Sequence, residues 1–136
     1  IVAAISLAVA MEAEVFGLPS ICSLEEIALV SGDARRKSFY AAEVRDHQLV
    51  TAPAVLDKAG LREKVGSSAG PILTTDPVSP LDLENVEIRV PSAAGLAKIA
   101  SNLSPEARKT LSEKPLEPLY IREPYITKAK KRVGAG

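Results

Sequence analysis

Tryptophan is absent from this chain of 136 residues, which has one cysteine (Cys22), one histidine (His47) and 4% aromatic residues. A lone cysteine rules out an internal disulfide and fits a reducing cytoplasm. One histidine and one cysteine, with no His-x-x-x-His pair, do not supply the ligand set of a zinc hydrolase. So few aromatics leave no stacking platform for bases. Lys plus Arg and Asp plus Glu both number 17, so no net field steers the molecule towards nucleic acid or membrane. No Gly-x-Ser-x-Gly elbow occurs, and only His47 could serve as the base of a Ser-His-Asp triad. Gly66-Ser-Ser-Ala-Gly70 has no Lys-Ser/Thr after it, which excludes a P-loop and leaves a plain loop. Glu12 with Glu14, and Glu25 with Glu26, read as exposed faces and helix ends rather than acid/base pairs.

The remaining composition is that of an ordinary globular domain, 46% hydrophobic and 25% charged. One stretch organises it. Leu29 and Val30 open an apolar arm, Arg35, Arg36 and Lys37 make a charged bend, and residues 38–44 alternate. This predicts a β-hairpin with Phe39, Ala41 and Glu43 on one face and Tyr40, Ala42 and Val44 on the other.

Upstream, Ile1 to Phe16 reads as one helix stopped by Gly17. Its apolar residues fall on nearly every side, so it must be covered all round. Either it is a central core helix, or it gives one face to its own domain and another to a partner. The apolar opening, without Met or basic leader, predicts an internal helix whose upstream part is missing, hence a fragment. Neither a secretory signal nor a spanning run of ~20 apolar residues is visible, so no membrane partner is expected. Leu18 to Cys22 reads as a short strand and Ser23-Leu-Glu-Glu26 as a capping box opening a helix through Ala28. That helix is so short that residues are expected to be missing between Ala28 and Leu29. Cys22 reads as a buried small hydrophobe and His47 as an exposed turn residue.

Downstream, Pro53 to Val65 is predicted helical, with Val55, Leu56, Ala59 and Leu61 inward. Strands follow at residues 71–75 and 86–90. Helices are expected after Ser92 and after Ser104-Pro105. Leu119 to Arg122 reads as a closing strand. The tail around Lys128, Lys130, Lys131 and Arg132 is either a solvated end or a phosphate-contacting one. The pattern is α/β, a mixed sheet with flanking helices.

Several segments together resemble a known family. They are Ala8 to Ser23 with Gly-Leu-Pro and Ser-Leu-Glu, then Ser31-Gly-Asp-Ala-Arg-Arg-Lys37 with Phe39-Tyr40, then Pro91-Ser-Ala-Ala94, then Glu117-Pro-Leu-Tyr-Ile-Arg122. In that order they resemble the TsaB family, glycoprotease-like subunits of threonylcarbamoyladenosine tRNA modification. The chain looks like the C-terminal two thirds of such a protein. The family's first strands and its glycine-rich Ser-Phe-Thr-Gly segment are not here, and the family usually has more sequence before the Asp-Ala-Arg strand.

The resemblance implies an actin/Hsp70-like (ASKHA) lobe with an incomplete N-terminal lobe. Residues 1–28 would be the remnant of that lobe, 29–122 the C-terminal α/β lobe and 123–136 a basic tail. It further implies a cytoplasmic, non-catalytic scaffold without cofactor or metal. The scaffold pairs with a TsaD-like catalytic subunit, works beside a TsaE-like ATPase, homodimerises when alone and meets tRNA only through the complex. The expected interface residues are Ile1, Ile5, Ala8, Glu12 and Phe16. The alternatives are a glycoprotease-like metallopeptidase and an ATP-binding kinase-like enzyme of the same superfamily.

Overall fold

A computed structural model describes residues 1–121. Its centre is the predicted hairpin. Strands β1 (Ile27–Asp33) and β2 (Phe39–Arg45) pair antiparallel along their whole length, from Ile27 opposite Arg45 to Asp33 opposite Phe39. Asp46 and His47 follow with φ of 52° and 56°. Two consecutive left-handed residues match the twist of a two-residue hairpin loop, and they turn the chain into β3 (Gln48–Leu49). Strand β4 (Ala54–Leu56) pairs with the other half of the same β2 edge. Helix α2 (Lys58–Gly66) then crosses over to β5 (Ile72–Thr74), which runs parallel to β1, and β6 (Val86–Ile88) runs parallel to β5. Helices α3 (Ala93–Asn102) and α4 (Pro105–Ser112) follow. The sheet order is β3-β2-β1-β5-β6, with β4 beside β2.

Alternation along β1 and β2 feeds a core on each face of the sheet. Ala28, Val30, Val44 and Leu73 are buried on one face with Ile21, Leu24, Tyr40 and Leu49 packed on them. Leu29, Ala41 and Leu61 are buried on the other, with Phe39, Leu56, Val65, Leu81 and Leu83 around them. The expected division of β2 side chains between two faces is therefore what is found. Glu43 lies on the Phe39 side, where its carboxylate meets Lys64 of α2 at 3.2 Å and Arg45 at 3.1 Å. The buried hydroxyls are satisfied. Ser31 Oγ donates to the Tyr40 carbonyl at 2.8 Å, and Thr74 Oγ1 accepts from the Asp76 N–H at 3.2 Å.

Two helices start where their side-chain caps stand. Ser92 accepts from the Gly95 N–H and Ser104 from the Ala107 N–H, at 3.0 and 3.1 Å. Five expectations need correction. The predicted strand over Leu18–Cys22 is a 3-10 turn, Ser20–Ser23, closed by the Ser23 hydroxyl donating back to the Ser20 carbonyl at 2.8 Å. That hydroxyl also accepts from the Ser92 N–H at 3.3 Å, so it does not cap a helix of its own. No helix forms there, and β1 runs unbroken through Ala28 and Leu29, the expected boundary. Residues 53–65 are not one helix. Ala54–Leu56 is drawn onto the β2 edge, and Asp57, whose carboxylate accepts from the Gly60 N–H at 2.8 Å, starts α2 afterwards. Ala59 is consequently exposed. Leu119 to Ile121 forms no strand and stays exposed. Arg122 and the basic tail lie outside the described residues.

Candidate partner-docking surface

The opening helix is shorter than its composition implies, and its position differs from the core-helix expectation. Helix α1 spans Val2–Ala10 and buries none of its residues. It ends at a left-handed turn on Glu12, φ 50°. The Glu12 N–H donates to the Val9 carbonyl at 3.4 Å and the Ala13 N–H to the Ala8 carbonyl at 2.9 Å. This pair of bonds is a Schellman stop built without glycine. Continuing to Phe16 would have placed the Glu12 and Glu14 carboxylates in the last turn, against the negative end of the helix dipole. Gly17, the expected stop, lies well past the real one.

The expected interface residues are thus only partly assembled. Ile1 is the N-cap, its carbonyl accepting from the Ile5 N–H at 3.0 Å. Ile1, Ile5 and Ala8 share a face by their spacing. Glu12 sits in the stop and Phe16, half-buried, in the irregular segment beyond it, so neither continues that face. What the structure adds is exposure. Val2, Val9 and Ile5 are 78, 74 and 41% exposed. Helix α1 contains no charged residue. A nine-residue helix is marginal alone in water, and this one leaves its apolar side chains exposed.

Clefts also open among the described residues, and α1 lines none of those that follow. One, about 650 Å³, lies between Gly17–Ser20 and the proline-rich segment from Lys114 to Leu119, with Leu111 at its wall. A second, about 340 Å³, is lined by Ser23, Asp46, His47 and the α3 residues Lys98, Ile99 and Asn102. There His47 is half-buried rather than exposed as expected, because its Nδ1 lies 3.0 Å from the Cys22 carbonyl. A carbonyl only accepts, so Nδ1 is the donor of this bond. The contact is with the Cys22 backbone, not its thiol. Burial pushes that thiol's pKa up, only partly opposed by a hydrogen bond from the Leu49 backbone. The reactive form of cysteine is the thiolate, so Cys22 is a packed side chain, as expected.

The third cleft, about 270 Å³, opens near the carboxyl ends of β1 and β5 and is lined by Tyr40, Thr75 and Asp76 among others. Tyr40 Oη and Thr75 Oγ1 are 3.2 Å apart. Burial raises the Tyr40 pKa, the Thr75 bond lowers it and the Asp76 charge adds to the rise. Sequence reading missed this grouping, whose one signal was Gly32 placed where a side chain would collide with it. Among the described residues no group of three or more His, Cys, Asp or Glu is placed to hold a metal ion, and no helix is long and apolar enough to cross a membrane. Comparisons with family models, curated proteins and solved structures returned no match.

Proposed function

We propose that this protein is a non-catalytic scaffold subunit that docks through α1 on a TsaD-like catalytic subunit and activates it. The reaction is transfer of a threonylcarbamoyl group onto tRNA adenosine, with a TsaE-like ATPase as a further member of the assembly. The observation that carries the reading is α1 itself, a helix with no charge and no buried residue. Such a surface is stabilised only by cover, and a greasy docking helix is what the resemblance implies for this stretch. The mixed sheet with flanking helices also fits the ASKHA lobe of that resemblance. In this reading tRNA is met through the catalytic partner, and a homodimer covers the same helix when the partner is absent.

Co-expression of the full-length protein with the TsaD-like subunit tests the proposal. The two are expected to co-elute, and tRNA modification by the catalytic subunit is expected to depend on this chain. Separate elution with unchanged modification would refute it.

A further inference from the structure

We propose that the free edge of β6 pairs with β6 of a second copy of this chain, antiparallel and centred on Ile88. This goes beyond the scaffold reading and uses a surface separate from α1. The first argument is the open edge. Strand β6 ends the sheet, with β5 on one side and no strand on the other among the described residues. Ile72, Leu73 and Thr74 stand opposite Val86, Glu87 and Ile88 in the parallel pairing, and the Arg89 N–H donates to the Thr74 carbonyl at 2.9 Å. Backbone groups alternate in direction along a strand. Glu87 and Arg89 therefore turn theirs towards β5, and Val86 and Ile88 turn theirs outwards. Outward N–H and C=O groups on an edge are a template for another strand.

The second argument identifies the occupant. Residues 86–90 read Val-Glu-Ile-Arg-Val, which is self-complementary when reversed. Side chains alternate between the sheet faces, so Val86, Ile88 and Val90 share one face and Glu87 and Arg89 the other. Antiparallel pairing of two copies about Ile88 sets each Ile88 against the other, each Val86 against a Val90 and each Glu87 against an Arg89. Ile88 and Val90 are 53 and 82% exposed in the single chain, and the second copy would extend their apolar row. The outward-facing Ile88 residues exchange both backbone bonds. Glu87 and Arg89 then fall at the intervening position without such bonds, where opposed side chains come closest. Within one chain Arg89 meets Glu87 at 2.8 Å and Glu25 at 3.9 Å, contacts that leave the Arg89 and Glu87 side chains 47 and 55% exposed.

The third argument is the rejection of other arrangements. Moving the axis to Glu87 or to Arg89 sets like charges directly opposite one another, and so does parallel pairing in register. Like charges opposed across strands are destabilising. Charges on an edge strand ordinarily keep other chains away; this order of charges admits a second copy in one register.

The test is sedimentation of the full-length protein over a range of concentrations, with Ile5→Asp present to silence pairing through α1. The ladder is short, so the dimer should form reversibly as concentration rises. Glu87→Arg should raise its dissociation constant about tenfold, because two opposite-charge pairs become like-charge pairs. Adding Arg89→Glu to that variant re-forms both pairs with the charges exchanged and should restore the dimer. Ile88→Pro, which removes an outward N–H and no bond to β5, should abolish the dimer in a folded chain. Amide exchange at Ile88 should slow as concentration rises, while that at Arg89, already bonded to β5, should not change. A monomer at every concentration overturns the proposal. So does a dimer that Glu87→Arg leaves unchanged, or one that the added Arg89→Glu fails to rescue.

Discussion

The Asp76 carboxylate accepts the backbone N–H of Asp33 at 2.6 Å across 43 positions of sequence. It ties the carboxyl end of β1 to the segment leaving β5, two parallel strands whose own pairing covers only Leu29 with Ile72 and Val30 with Leu73. A bond to an ionised acceptor is stronger than a neutral one. Asp76→Ala should therefore lower stability by about 1.5–2 kcal/mol, and Asp76→Asn, which keeps an acceptor, by less. Urea denaturation of the three proteins checks the order.

Gly32 is what allows this closure. A Cβ built there would lie 2.5 Å from Tyr40 Cε1 and 2.6 Å from the same Asp76 oxygen. Gly32→Ala should cost about 2 kcal/mol through forced displacement of the ring and carboxylate. Tyr40→Ala in the same chain should relieve part of that cost, so the two substitutions are expected to be non-additive. Additive losses would place the strain elsewhere.

The face of the sheet under α2 depends on Leu61, which is fully buried against Leu29 and Ala41. Leu61→Ala should destabilise by about 3 kcal/mol. Phe39 packs on the same cluster but is only half-buried, so Phe39→Ala should cost about 2 kcal/mol, less than a fully enclosed ring. Equilibrium unfolding that reversed this ranking would contradict the assigned core.

Alkaline stability follows from two acids that the fold keeps protonated. Burial raises the Cys22 pKa above its ordinary 9.0 and the Tyr40 pKa above its ordinary 10.0. Above those ordinary values the unfolded chain releases protons that the folded chain retains, so stability falls as pH rises. The contribution is complete below the unfolded values and is lost as pH climbs through the folded ones. Thermal midpoints should decline from about pH 9 upward, and Cys22→Ala should flatten the first part of the decline.

The hairpin was legible because residues 39–44 alternate and the charged bend interrupts them. Helices α3 and α4 were legible because Ser92, Ser104 and Pro105 mark their starts. The remaining elements were set by groups distant in sequence or by unusual stops. Val55 and Leu56 carry no mark of the β2 edge that recruits them. Ser23 has the form of a cap, yet its hydroxyl is used on Ser20 and Ser92. Glu12 ends α1 in a conformation that glycine would have announced and glutamate does not. The candidate surface was legible as composition only. An all-apolar helix looks the same in sequence whether enclosed or bare, and only the fold shows α1 bare.

The most direct measurement on the central claim compares Ile5→Asp with the unchanged protein in two readings, thermal stability and capture of the TsaD-like subunit. Because no residue of α1 is buried, stability should stay within about 0.5 kcal/mol. Capture should be abolished, since an unpaired charge in an apolar contact is costly. Undiminished capture by a folded Ile5→Asp protein would contradict docking through α1.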